Sequence, residues 1–252
     1  MVKNNHSDDY KRELDGLLRT EERIEGCESL SDVMGYARLH ARIENAVVVV
    51  SDMEEGRSHI VAGGFARCLG LADYHQENSI WEKRLLSLMP ENELDEKYVA
   101  ELRFYHYLRR LPRVRRGEYY LMSKLRFHHA DGEMRDVLHK MYYIHDRDME
   151  TVRFAICIYA PLSVDFKGRS YAVNSINGIK EELTEAGNDT ILSPRERQVL
   201  GLIEMGMKSA VIADQLNISI HTVSRHRQEI IRKLQVKNSH EACRVAKSMR
   251  LI

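Results

Sequence analysis

The hydrophobic pattern changes period several times along the chain, and each change marks an element. Leu14, Leu17, Leu18, Ile24, Val33, Tyr36, Ala37 and Leu39 recur at roughly helical spacing, broken around Gly26, so residues 8–43 read as two helices leading into a strand. Residues 46–51 are aliphatic and largely β-branched, Asp52-Met53-Glu54-Glu55-Gly56 has turn chemistry, and residues 59–62 return as a second strand. That predicts a hairpin, followed by Gly63-Gly64 and a short helix over 65–71. After a polar stretch around 81–92, Leu94, Tyr98, Leu102, Tyr105 and Leu108 form the inward stripe of a long helix over 93–110, which Pro112 stops. Three strand signals follow at 119–128, 134–144 and 152–160, with turns at Asp131-Gly132 and His145-Asp146-Arg147-Asp148.

From residue 191 the period is helical again. Ser193 can cap a helix whose Glu196 reaches back to the Ser193 amide, a capping box with Pro194 where a missing N–H costs nothing. Val199, Leu200, Ile203 and Met205 run to Gly206, a stop signal. A second stripe of Val211, Ile212, Ala213 and Leu216 ends at Asn217-Ile218-Ser219, and a third begins at once with Val223, His226, Ile230 and Leu234. Helices joined by so short a turn cross steeply. Asn217 tolerates a left-handed backbone, Ser219 caps the third helix, and a fourth covers about 239–249. Residues 1–165 are thus read as one body, 166–190 as a polar linker with a short hairpin at Asn174-Ser175-Ile176-Asn177-Gly178 and a hinge at Gly187-Asn188, and 191–252 as a separate module.

On the third helix of that module, His221, Ser224, Arg225, Gln228 and Arg232 share the face opposite the apolar stripe. Arg suits the O6 and N7 of guanine and Gln the N6 and N7 of adenine, so Ser224, Arg225 and Gln228 are candidates for base edges. Lys208, Ser209, His221, Thr222, Arg227, Arg232, Lys233 and Lys237 are candidates for the phosphate backbone. A solvated charged face is the plain alternative for any one of them alone.

Leu192-Ser193-Pro194-Arg195-Glu196 with Val199-Leu200, then Ile212-Ala213, Leu216, Ile218-Ser219, Thr222-Val223, His226, Ile230, Lys233-Leu234, Val236, Glu241-Ala242 and Leu251-Ile252, resembles the LuxR-type (GerE-type) DNA-binding domain. The resemblance implies a four-helix module whose third helix enters the major groove and whose fourth often supports dimerisation. Apolar Ala242, Cys243, Val245, Ala246 and Met249 fit that role or plain packing on the first helix. Ser224 stands where family members often carry Lys, and Glu229 where Asn is common, so the target sequence does not transfer. In the body, two strands, helices and then three antiparallel strands is the element order of a PAS domain, which the stretch resembles. The expected fold is therefore α+β: a PAS-like antiparallel sheet with helices, then an all-α helix-turn-helix module.

Charge sharpens the division. The chain's 38 basic and 38 acidic residues cancel, yet residues 191–252 hold 11 Lys and Arg against 5 Asp and Glu, leaving 27 against 33 upstream. A basic module on an acidic body is the footprint of a nucleic-acid binder whose other part does something else. Cys27, Cys68, Cys157 and Cys243 have no paired spacing, which argues against a disulfide framework or zinc motif and for reduced thiols. The polar start and the short aliphatic run 46–50, far below the ~20 residues of a membrane helix, lead us to expect a cytoplasmic protein with no membrane contact.

No phosphate-cradling Gly loop, placed nucleophile or paired-carboxylate spacing is present, so neither catalytic residues nor a cofactor are expected. Cys68 lacks the sequence context of flavin photosensors. His106, His128, His129, His139 and His145 raise haem or metal only as an alternative, because a lone His in a sheet is more often a surface or satisfied core residue. The basic run 109–116 reads as an exposed helix end. The first functional reading is a homodimeric transcription regulator that binds double-stranded DNA, with the PAS-like body sensing a small-molecule effector or partner. The alternative is a protein-interaction adaptor whose PAS-like body binds haem or metal.

Overall fold

The computed structural model describes residues 6–18, 29–146, 151–164, 166–183, 192–234, 236, 238–249 and 251–252. The chain forms two compact units, Met1–Leu183 and Thr184–Ile252. No helix among the described residues is long and apolar enough to cross a membrane.

The first unit is built on one antiparallel sheet. Helices α1 (His6–Leu18) and α2 (Leu30–Glu44) precede strands β1 (Val47–Asp52) and β2 (Arg57–Ala62). After the short β3 (Gln76–Glu77) and α3 (Lys83–Leu86) comes α4 (Glu91–Arg110), then β4 (Tyr119–His128), β5 (Met134–His145), β6 (Val152–Pro161), β7 (Ser170–Asn174) and β8 (Lys180–Glu182). The strands lie in the order β3-β2-β1-β6-β5-β4-β7-β8. The expected hairpin is β1–β2: Asp52 Oδ1 accepts from the amides of Glu54 and Glu55, and Gly56 takes φ 66°, which glycine adopts without steric cost.

Strand β1 reads as an unbroken apolar run because helices cover both faces of the sheet. Val33, Ala37 and Ala41 of α2 pack on Val48, Val50, Phe154, Ile156 and Ile158. The opposite face, carrying Ser51, Met141, Tyr143, Ala155 and Cys157, meets Leu14 and Leu18 of α1 and Lys97 and Glu101 of α4. Val47 to Val50 are all fully buried, each contributing roughly 1.5–3 kcal/mol relative to exposure.

Three expectations need correction. The hairpin at 174–178 exists, but β7 pairs along β4 and β8 along β7, so the sheet unit continues to Leu183 and residues 170–182 are not linker. Ala172 and Val173 are buried, and Asn174 Oδ1 accepts from Ile176 and Asn177 to close the turn. The helix expected over 65–71 is a 3-10 turn, Gly64–Arg67. Within the basic run, Arg116 is buried in a second 3-10 turn, Arg113–Glu118, while Arg110, Arg113 and Arg115 are exposed as expected. The hinge at Gly187-Asn188 lies outside the described residues.

The second unit contains α5 (Pro194–Glu204), α6 (Ser209–Leu216), α7 (Ile220–Leu234) and α8 (Ser239–Ser248). Local chemistry sets the start and end of α5, the end of α6 and the start of α7. Ser193 accepts from the Glu196 amide while the Glu196 carboxylate accepts from the Ser193 amide at 2.7 Å. Gly206 takes φ 79° just past the end of α5, Asn217 takes φ 51° between α6 and α7, and Ser219 Oγ accepts from the Thr222 amide at 3.0 Å. Helix α8 contacts α5 and α7, burying Ala242, Cys243, Val245, Ala246 and Met249. Its apolar residues are therefore spent on packing inside the module, not left over for a partner.

Candidate nucleic-acid interface

Helix α7 divides its residues cleanly. Val223, Ile230 and Leu234 face the core, while His221, Ser224, Arg225, Gln228 and Arg232 are exposed along one side. The side chains of Ser224, Arg225 and Gln228 make no hydrogen bond or ion pair with any described residue. His221 and Lys208 are exposed and equally uncommitted. This leaves a guanidinium, an amide and a hydroxyl pointing off one helix face with no described residue to satisfy them, which is what base-edge recognition requires.

Several candidate phosphate contacts have other work. Lys233 Nζ lies 2.8 and 2.7 Å from the two carboxylate oxygens of buried Glu196. Burial works against that carboxylate's charge, but the Lys233 ammonium and the Ser193 amide outweigh it and hold Glu196 below the usual carboxylate range. Arg227 donates from Nε to Ser239 Oγ at 3.2 Å and from Nη1 to Ser209 Oγ at 3.0 Å, tying α7 to the starts of α8 and α6. Arg232 pairs with Glu229 at 2.8 Å on the surface, and that pairing lowers the Glu229 carboxyl. Thr222 Oγ1 lies 2.8 Å from Ser219 Oγ at the start of α7. Lys237 lies outside the described residues.

One supporting residue belongs to the motif that carries the family resemblance, but its partner was not read from the sequence. Arg195 donates from Nη2 to the Leu216 carbonyl at 2.6 Å, bracing the end of α6 where the chain turns into α7. A basic residue in a first helical turn runs against the helix dipole, and that is the only hint that it has a partner elsewhere.

The family described as bacterial regulatory proteins, luxR family, matches residues 190–246. Residues 190–246 are a LuxR-type helix-turn-helix domain. The transcriptional activator protein EsaR of Pantoea stewartii subsp. stewartii is 34% identical over 92 residues, 36% of this chain and 37% of that protein. The transcriptional regulatory protein RcsB of Escherichia coli (strain K12) is 36% identical over 73 residues, 29% of this chain and 34% of that one. The chain thus spans about a third of the length of the curated relatives it matches. Among solved structures, a phage VqmA–DPO complex overlaps 87% of this chain and 86% of its own at 15% identity and a TM-score of 0.32. Escherichia coli SdiA overlaps 96% and 98% at 15% identity and a TM-score of 0.26. Overlaps this loose carry no argument about the first unit.

Proposed function

We propose that this chain is a transcription regulator that binds double-stranded DNA as a homodimer through its LuxR-type domain. Helix α7 enters the major groove with Ser224, Arg225 and Gln228 at base edges. Lys208 and His221 flank it toward phosphates and Lys237 is a further candidate; Ser209, Thr222, Arg227, Arg232 and Lys233 would reach a phosphate only in competition with their internal partners. The observation that carries the reading is the row of exposed, uncommitted donors on α7 within a domain of this family. Two copies related by a two-fold axis would address half-sites about 34 Å apart.

The first unit is proposed as a PAS-like sensor of a small molecule or partner. Its element order supports this.

The test is selection of full-length protein against fragmented genomic DNA, followed by mobility shift. The complex should weaken steeply with added salt, and Lys208→Ala should make that dependence shallower by about one phosphate contact. Failure of the full-length protein to retain any fragment at low salt would refute the reading.

A further inference from the structure

We propose that the first unit binds one zinc-class divalent cation at its centre, through the Glu101 carboxylate, a ring nitrogen of His139 and the Cys157 sulfur. The proposal is independent of the DNA-binding reading. Glu101 comes from α4, His139 from β5 and Cys157 from β6, and one potential ligand atom from each lies within 4.8 Å of the other two. The register explains the meeting. His139 pairs with Tyr159 and Met141 with Cys157, so His139 and Cys157 are diagonal neighbours on the face that α4 covers.

The imidazole is the group that asks for a ligand. His139 is fully buried, and neither ring nitrogen has a hydrogen-bond partner, a deficit that ordinarily costs about 1–3 kcal/mol. The ring is nonetheless fixed, stacked on Tyr159 with centroids 4.8 Å apart. Its Nε2 is 4.0 Å from Glu101 Oε1, too far for a hydrogen bond but suited to two groups that share an ion. Lys97, 2.5 Å from the same oxygen, accounts for the carboxylate, and the Tyr159 hydroxyl lies beside the Cys157 thiol, so the imidazole is the member of the trio left unexplained.

The donor set fits the ion. A tetrahedral site with bonds of ~2.0–2.3 Å places its donors about 3.5 Å apart, so these three need to draw together by roughly an ångström. Sulfur with nitrogen and oxygen favours the zinc class over magnesium or calcium. Glu101 and Cys157 line a cavity of about 30 Å³, room for a water as fourth ligand. Charge closes as well. Buried Glu82 lines the same cavity, so two carboxylates and a thiolate balance Lys97 and a divalent cation. As the metal–sulfur bond forms, the Cys157 proton passes to solvent, and nothing is oxidised or reduced.

The experiment strips full-length protein with a chelator and titrates it with Co²⁺, with Zn²⁺ in competition. One equivalent of cobalt per chain is expected, with the visible bands of a tetrahedral site and a sulfur-to-cobalt charge-transfer band. Cys157→Ser should abolish the charge-transfer band, and His139→Ala should weaken retention at least about tenfold, the scale on which even outer partners of a ligand act. Absence of stoichiometric cobalt, or a charge-transfer band that survives in Cys157→Ser, overturns the proposal. Should Cys157→Ser fail to fold, Lys97→Met decides, since removing the competing ammonium should tighten cobalt retention, and unchanged or weaker retention overturns the site.

Discussion

Lys233 and Arg225 sit on the same helix and look alike in sequence, yet replacing each should fail in a different assay. The Lys233 side chain is 31% exposed and its partner Glu196 only 6%, so the pair lies between a surface bridge, worth about 0–1 kcal/mol, and a buried one whose breakage costs about 3–5 kcal/mol. We therefore expect Lys233→Met, which keeps most of the aliphatic stem, to cost about 2 kcal/mol. In a domain of this size that lowers the unfolding transition by roughly 8–16 °C, read by calorimetry on the full chain. The pH dependence supplies a second check. Because Glu196 is held below its unfolded value, its contribution is present above about pH 4.3 and is lost as pH falls through the folded value, so the gap between wild type and variant should close on acidification. Arg225→Ala should leave the transition in place and weaken DNA binding by about 1–3 kcal/mol, roughly 10- to 150-fold, in a mobility shift. If Lys233→Met weakened DNA binding while the transition stayed put, the lysine would be a phosphate contact and the assignment of its role to Glu196 would be wrong.

Three further outcomes follow from the burial of one side chain and the backbone geometry of two positions. Burial first, then Arg110 and Arg109, push His106 down to about 3, so unfolding takes up its proton below about pH 6.5 and stability falls by about 1.4 kcal/mol per unit from there toward pH 3; His106→Leu should flatten that part of an acid titration followed by circular dichroism. A Cβ at Gly63 would run into the carbonyl oxygens of Ala46 and Ala41, both backbone, so Gly63→Ala should lower stability by about 1–3 kcal/mol in urea unfolding; a neutral result would mean the β2 exit can shift freely. Asn217 holds φ 51° between α6 and α7, so Asn217→Gly should be tolerated while Asn217→Ala costs about 1 kcal/mol, and equal unfolding midpoints would remove the left-handed constraint.

What could be read from sequence, and what could not, divides by the distance over which each residue acts. The boundaries of α5, α6 and α7 were legible because the groups that set them lie within three or four residues of each other: Ser193 with Glu196, Asn217 at its turn, Ser219 with Thr222. The long strands were legible because β-branched and aromatic residues bounded by turn chemistry need no knowledge of the partner strand. The hairpin of β7 and β8 was legible from its turn at 174–178, but its place in the sheet was not, since five and three residues with polar neighbours join it only because β4 offers an edge. The cations of α7 make the same point about function. Arg225 faces outward with no partner among the described residues, Arg227 reaches Ser209 and Ser239, and Lys233 reaches Glu196, 37 residues away. Charge and helical phase place all three on the helix, but only the packing of α5, α6 and α8 around it decides which remain available to DNA. Glu101, His139 and Cys157 extend the rule to the other unit. No spacing rule joins them, and the strand register that brings them within ligand distance exists only after the sheet has formed. A search for sites by motif therefore finds the helix-turn-helix and passes over the buried cluster.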